Sequence, residues 1–317
     1  MDLYPLLMTP YFRHGEETPW GGHALKERYG KDAPDDTTGE SLEISALPGR
    51  ESRIANGPLA GKTLSEVIAL WGNELTGSAN GEFPLLLKLL DAQEYLSVQV
   101  HPNDAYATEH EGKLGKSEAW LILDAEPGAK IVYGVDTQGR ALRDIVEKGE
   151  LEGCLHWEAV HSGDVFYIPS GTIHALGPGI QCYEIQQSSD ATYRFWDWGR
   201  LGKDGKPRTL HIAKALDVSC PDYRLSAAHG TKEWHNGTVW TLYVDDPHFR
   251  LHTVEINGSC SLDQGDMQFI TPLEACVIKW KQHTLPVNPY QSILIPANLE
   301  DVSIVNKGKV IIATSPR

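Results

Sequence analysis

The sequence predicts a mainly β protein: two small β-barrels in one chain, with a few short helices around them. Three observations carry that prediction. Residues 161–184, HSGDVFYIPSGTIHALGPGIQCYE, read as strand, rigid corner, strand, turn and strand. From about residue 236 the chain becomes a succession of short apolar runs split by turn residues: VWTLYV, FRLHTVEI, MQFITP, EACVIKW, SILIPA, DVSIVN and KVIIAT. That is the pattern of a sandwich or barrel. Lastly, residues 292–297 repeat the character of residues 164–170 with Ile-Pro as the shared anchor, as a duplicated chain would.

Each element has a local reason. Residues 1–60 are rich in Gly, Pro and acidic residues, and only Leu42–Ile44 alternates as a strand. Residues 61–75 predict a helix: Thr63 is the N-cap, Glu66 completes a capping box, and Leu64, Val67, Ile68 and Trp71 share one face. That apolar stripe is ordinary core packing. Residues 84–100 read as two strands around a turn at 91–94, the second running from Tyr95 to Val100. Its alternation puts Ser97, Gln99 and His101 on one side. Pro102-Asn103-Asp104 opens a short helix to about residue 113, and Gly115-Lys116-Ser117 ends it. Glu118–Leu123 is then a strand with Glu118 and Trp120 on one face. A strand over 129–135, a helix over 138–149, a turn at Asp204-Gly205 and a helix over 209–217 follow. In the stretch 161–184, Val165–Ile168 is a buried strand, Pro169-Ser170-Gly171 reverses it, and His174 starts the return strand.

Composition narrows the function. At 317 residues and 41% hydrophobic the chain can bury one large core or two modest ones. A net charge of −15 disfavours nucleic acid and anionic membranes as partners. The five cysteines are scattered and odd in number, without a C-x-x-C pair, which fits free thiols in a reducing cytoplasm. The N-terminus MDLYP has no basic region or long apolar run, so a signal peptide is not expected. No run approaches the roughly 18 apolar residues that a membrane span needs.

Several residues stand out as candidates. His174 follows a rigid corner that would fix it, although a single His beside a hairpin is ordinarily structural. Together with Gln99 and His101 on one strand face and Glu118 on the next strand, it makes a plausible metal shell of two imidazoles, a carboxylate and an amide oxygen. Zn2+ fits such a set, and so does Fe2+ running oxygen chemistry. Lys88 stands alone in the apolar run PLLLKLLDA, either facing a cavity or lying at a strand edge. Residues 194–208 gather Arg194, Arg200, Lys203, Lys206 and Arg208 against Asp197 and Asp204. In so acidic a chain, that cluster is either a solvated loop or an anion site, most simply for a phosphate. Aligned on Ile-Pro, Asp301 falls where His174 stands, so the second barrel is expected to be metal-free.

These pieces together resemble the class I mannose-6-phosphate isomerases of the short bacterial type, members of the cupin superfamily. The resemblance rests on TPWGGHAL, TGESLEIS, ANGPLAGKTL, FPLLLKLLDA, SVQVHPND, LGKSEAWLIL, GDVFYIPSGTIHAL, QQSSDATYRFWDWGR and PRTLHIAKA, in order across the first two-thirds of the chain. It implies two cupin-like (jelly-roll) β-barrels: a catalytic one over residues 1–222 and a metal-free one over 223–317. The chain has no room for the helical insert of longer members. By resemblance Gln99, His101, Glu118 and His174 hold one Zn2+ per chain, Arg194 and Lys116 are catalytic, and Lys88, Lys203 and Lys206 are candidates to bind substrate. The implied reaction interconverts mannose 6-phosphate and fructose 6-phosphate through a cis-enediol, with a proton moving between C2 and C1. The expected partner is that small sugar phosphate, and the expected state is a monomer or weak homo-oligomer. Two other readings stay open at this point. A cupin Fe(II) dioxygenase would need O2 and no phosphate cluster; a non-catalytic sugar- or metal-binding bicupin would tolerate replacement of Arg194.

Overall fold

The computed structural model describes residues 2–78, 83–202, 205–235 and 237–315. The protein is mainly β with a few short helices, and its strands form three open sheets, the largest of them branched. The six-stranded sheet runs, in spatial order, Val165–Ile168, Glu118–Ala125, Ile180–Gln187, Leu85–Ala92, Glu40–Ile44 and Tyr11–Arg13. The five-stranded sheet runs Tyr193–Trp196, Val98–Val100, His174–Leu176, Lys130–Val135 and Leu155–Ala159. A ten-stranded sheet holds the C-terminal third. Leu6–Thr9 also joins it, pairing with Ile293–Ile295 on one side and Arg53–Ile54 on the other. The chain therefore begins in the sheet where it ends.

Most expected elements form. The helix Leu64–Trp71 begins at Thr63 with both hydrogen bonds of the capping box, and Gly72 at φ 50° stops it. Its buried residues are Leu64, Val67 and Trp71. Asp104–Glu111 is capped by Asn103, whose side chain accepts from the Tyr106 amide. Leu142–Glu147 and Ile212–Val218 complete the predicted helices. The Pro169-Ser170-Gly171 corner closes with Thr172 donating to the Pro169 carbonyl at 3.1 Å. Gly171 has φ +90° and a Cβ there would meet Cys220 Sγ at 2.8 Å, so glycine is required on both counts.

Three differences are informative. The second strand of 84–100 is only Val98–Val100, and it lies in a different sheet from Leu85–Ala92. Leu96 instead donates to the Leu176 carbonyl across the gap. DVSIVN and KVIIAT, read as two strands, are one, Val302–Thr314. It pairs residue by residue with Arg250–Ser261 from Ser303↔Ser261 to Thr314↔Arg250, and that ladder overrides the turn signal of Asn306-Lys307-Gly308. The strands Leu6–Thr9, Tyr11–Arg13, Arg53–Ile54, Thr231–His235 and His283–Val287 carried no strong pattern and exist because a partner strand is available.

The core crosses the seam between the sheets. One continuous apolar cluster joins Leu85, Leu87 and Tyr183 of the six-stranded sheet to Leu6, Phe269 and Leu294 of the ten-stranded one. A buried ion pair sits at the same seam. Lys31 Nζ is 2.7 Å from Glu43 Oε2 and donates to the Tyr290 carbonyl at 2.6 Å, while Ser41 and Ser292 donate to the Glu43 carboxylate. Its remaining hydrogen bonds are thus satisfied, the condition for burying a charge without a large penalty.

Candidate active site

Strand register builds the site as two facing rows. Across the six-stranded sheet Glu184 stands opposite Lys88 on one side and Trp120 on the other, so these three share a face. Across the five-stranded sheet Gln99 stands opposite both Arg194 and His174. Side chains of both rows line one narrow polar cleft. The rows touch where the Trp120 and His174 rings meet edge to face, 5.5 Å between centroids.

Behind Gln99 and Lys116 of this cleft lie His101, Glu118 and His174, all buried, with ligand atoms within 4.8 Å of one another. His174 Nε2 is 3.2 Å from Glu118 Oε1, and His101 Nε2 is 3.6 Å from Glu118 Oε2. Each imidazole is oriented by backbone: His101 Nδ1 donates to the Ala191 carbonyl at 2.8 Å and His174 Nδ1 to that of Thr172 at 2.9 Å. That leaves both Nε2 lone pairs facing the carboxylate. Burial holds both rings neutral, His174 at about 4 and His101 well below its ordinary value, where Lys116 also disfavours charge. Neither Glu118 oxygen has a hydrogen-bond partner of good geometry. Burial and the nearby Glu184 push its carboxyl up to about 7 against the opposing pull of Lys116.

This donor set fits a divalent transition metal. Ligand atoms about 2.1 Å from a tetrahedral centre stand about 3.4 Å apart, and each Nε2 lies near that distance, 3.2 or 3.6 Å, from one of the two Glu118 oxygens. Gln99 is beside them, its Nε2 3.3 Å from His174 Nε2 and its Oε1 accepting from Ser97. A turn of the amide would present the oxygen instead. Lys116 Nζ reaches the same point, 2.6 Å from Glu118 Oε2 and 3.1 Å from His101 Nε2.

The structure also places groups that the sequence did not single out. Glu184 accepts from Lys88 Nζ at 3.0 Å and from Trp120 Nε1 at 2.7 Å. Burial alone would raise its carboxyl; Lys88, Lys116 and Trp120 outweigh that and hold it at about 2. The only sequence signal was an acid in a run otherwise suited to burial on both faces. Glu40 and Arg13 pair beside it at 2.8 Å. Lys88 thus faces the cleft, as one of its two sequence readings had it. Arg194 lines the cleft with its Nε unpartnered. Its neighbours in the basic cluster differ: Arg208 is held bidentately by Asp197 at 2.6 Å twice, and Arg200 pairs with the same Asp197 at 3.2 Å. Lys206 is exposed on the loop where Gly202 donates to its carbonyl, outside the cleft lining. Lys203 and Asp204 lie outside the described residues. Asp301 is exposed, with φ 57°, at the start of Val302–Thr314.

Fold and site together define a mainly β protein with a buried two-histidine, one-carboxylate cluster beside a charged cleft. The family description "phosphomannose isomerase type I, catalytic domain" matches residues 13–128. The mannose-6-phosphate isomerase of Streptococcus mutans is 38% identical over 298 residues, 90% of this chain and 93% of that one. ManA, a mannose-6-phosphate isomerase of Bacillus subtilis, is 41% identical over 273 residues, 83% of each. The crystal structure of the mannose 6-phosphate isomerase from Bacillus subtilis superposes with a TM-score of 0.89 at 36% identity, covering 98% of this chain and 99% of that one. A zinc-bound mannose 6-phosphate isomerase shares the fold at a TM-score of 0.78 and 16% identity over 99% of this chain. The chain belongs to the type I phosphomannose isomerase family.

Proposed function

We propose that the protein is a zinc-dependent aldose–ketose isomerase interconverting mannose 6-phosphate and fructose 6-phosphate, with one Zn2+ per chain. The observation that carries this is the buried His101–Glu118–His174 cluster, whose carboxylate faces both imidazole Nε2 atoms, beside a cleft that presents Lys88, Lys116 and Arg194. We assign Gln99, His101, Glu118 and His174 as ligands. When bound there, the metal supplies Lewis-acid polarisation of a sugar oxygen.

The chain's own groups do the rest. The reaction removes a proton from C2 and returns it to C1, or the reverse, and leaves transient negative charge on an enediol oxygen. Arg194 is permanently charged and lines the same cleft, so it can meet that charge. Lys116 Nζ stands between Glu118 and Glu184, at 2.6 and 4.0 Å, and can carry a proton between substrate and carboxylate. Lys88 and Glu184 form an ion pair on the wall of the cleft, 3.0 Å apart. For the phosphate, Arg194, Arg13 and Arg208 line the cleft, whereas Lys206 is exposed and outside that lining.

We also read the six- and five-stranded sheets as the walls of a first cupin-like jelly-roll barrel, residues 1–222, and the ten-stranded sheet as a second, metal-free one, residues 223–317. Leu6–Thr9 and Arg53–Ile54 are lent across to the second. Five free cysteines fit the cytoplasm as its place. Among the described residues no helix is long and apolar enough to cross a membrane. The test is a coupled assay for fructose 6-phosphate formed from mannose 6-phosphate. Turnover that a chelator abolishes and Zn2+ restores is expected. No fructose 6-phosphate from zinc-replete protein would overturn the proposal.

A further inference from the structure

We propose that His248, from the C-terminal sheet, is a positioning residue for the reaction: through Asp104 it fixes the Gly115–Ser117 segment that delivers Lys116 and Glu118 to the active site. The inference rests on the isomerase reading above for its kinetic arm only. His248 lies in the tight turn between the strands Thr238–Asp245 and Arg250–Ser261, far along the chain from the metal cluster. Asp246 holds it twice, accepting from the His248 backbone amide at 2.8 Å and facing its Nδ1 at 2.7 Å. The other ring nitrogen, Nε2, reaches across the seam to Asp104 Oδ2 at 2.9 Å. Both ring nitrogens therefore face a carboxylate oxygen, which fixes the plane and the tilt of the ring.

Asp104 is the hub. Its Oδ1 accepts from the Gly115 amide at 2.8 Å and from Gln187 Nε2 at 2.9 Å. Gln187 Oε1 in turn accepts from the Ser117 amide at 2.8 Å. The amide between them, Lys116 N–H, donates to the Pro102 carbonyl at 2.9 Å. Three consecutive amides are therefore tied down. Gly115 is pressed so close to this scaffold that a Cβ would sit 2.5 Å from Asp104 N. Beyond this segment come Lys116 Nζ and the Glu118 carboxylate, 2.6 Å apart in the metal cluster. Asp246 is itself fixed from the catalytic side by the Tyr167 hydroxyl. The charged and titratable groups facing His248 are Asp104 and Asp246, with Asp266 on the wall of the same cavity. The C-terminal sheet thus does more than cover the catalytic sheets: it sets the tilt of the lysine-bearing loop.

The His248 side chain is 33% exposed, so truncation leaves no void in the core. In zinc-loaded protein, His248→Ala is expected to lower kcat on the order of ten- to a hundredfold, the cost of a small misplacement of reacting groups, with KM and zinc content little changed. Because it acts through Asp104, adding His248→Ala to Asp104→Ala should cause no further loss. His248→Gln, whose amide can still donate to Asp104, should recover part of kcat. A second readout does not depend on the reaction: amide hydrogen exchange of the 113–118 segment should quicken in His248→Ala and be restored in His248→Gln. A kcat within about twofold of wild type, additive losses in the double variant, or unchanged exchange at 113–118 would each overturn the inference. If wild-type protein makes no fructose 6-phosphate, the isomerase reading fails, and the exchange measurement still decides the role of His248.

Discussion

Two corners of this molecule share a sequence pattern and a backbone turn but not a chemistry. At Ile168-Pro169 and at Ile295-Pro296 the proline carbonyl accepts a hydrogen bond from the residue three further on, Thr172 at 3.1 Å and Leu299 at 3.0 Å. Five residues after each proline the paths diverge. His174 is fully buried and begins a strand whose neighbour carries Gln99, with Glu118 facing it. Asp301 is exposed in a left-handed conformation that Asp tolerates better than most residues. The interior beside it is filled by Ile278, Ile293, Ile295, Val302 and Ile304. The corner is thus a device for turning a chain sharply; what makes a metal centre of it is the set of polar groups on the opposing strands.

That comparison can be broken most forcefully at the proposed ligands. His101→Ala, Glu118→Ala and His174→Ala should each abolish tight zinc binding and turnover, and full zinc occupancy of His174→Ala by elemental analysis would remove the assignment. Gln99→Ala should weaken zinc less, since a neutral amide oxygen is the poorest donor of the four. Arg194→Ala should cut kcat on the order of a hundredfold, roughly 3 kcal/mol, the cost of losing one group that stabilises developing charge. Its zinc content should not change and Arg194→Lys should rescue only in part; near-wild-type kcat in the zinc-replete variant would make Arg194 a packing residue.

On the other side of the comparison, Ile304→Ala should cost about 2–5 kcal/mol of stability through a core void while leaving the zinc affinity of the folded protein intact. Denaturant melts beside metal titration separate the two. Thr63→Ala should cost about 1 kcal/mol by unmaking the capping box. Asp301→Ala should cost about 1 kcal/mol, because Ala tolerates that left-handed backbone less well than Asp, without change in metal stoichiometry. A second zinc ion that is present in wild type and lost in this variant would end the contrast between the corners.

What the residues determined alone was local. Thr63 with Glu66, Asn103, and Pro169-Ser170-Gly171 specify caps and corners through bonds that span a few positions, and these form as read. The spacing of Gln99 and His101 with Glu118 and His174 pointed to a metal shell, and the sugar-phosphate isomerase came from the resemblance of the surrounding motifs; His101 itself lies just past the strand Val98–Val100 on which it was expected. Only tertiary structure decided what lies opposite what. Glu184 became part of the site because register sets it between Lys88 and Trp120. Leu6–Thr9 became a strand because Ile293–Ile295 offers it a free edge, nearly the whole chain away. The long strand Val302–Thr314 runs through its own turn signal for the same reason. His248 touches Asp104 across 144 positions of sequence. Pairing of strands is a non-local choice among many apolar runs of similar composition, so its outcome is settled by which faces can be buried together and not by any one run.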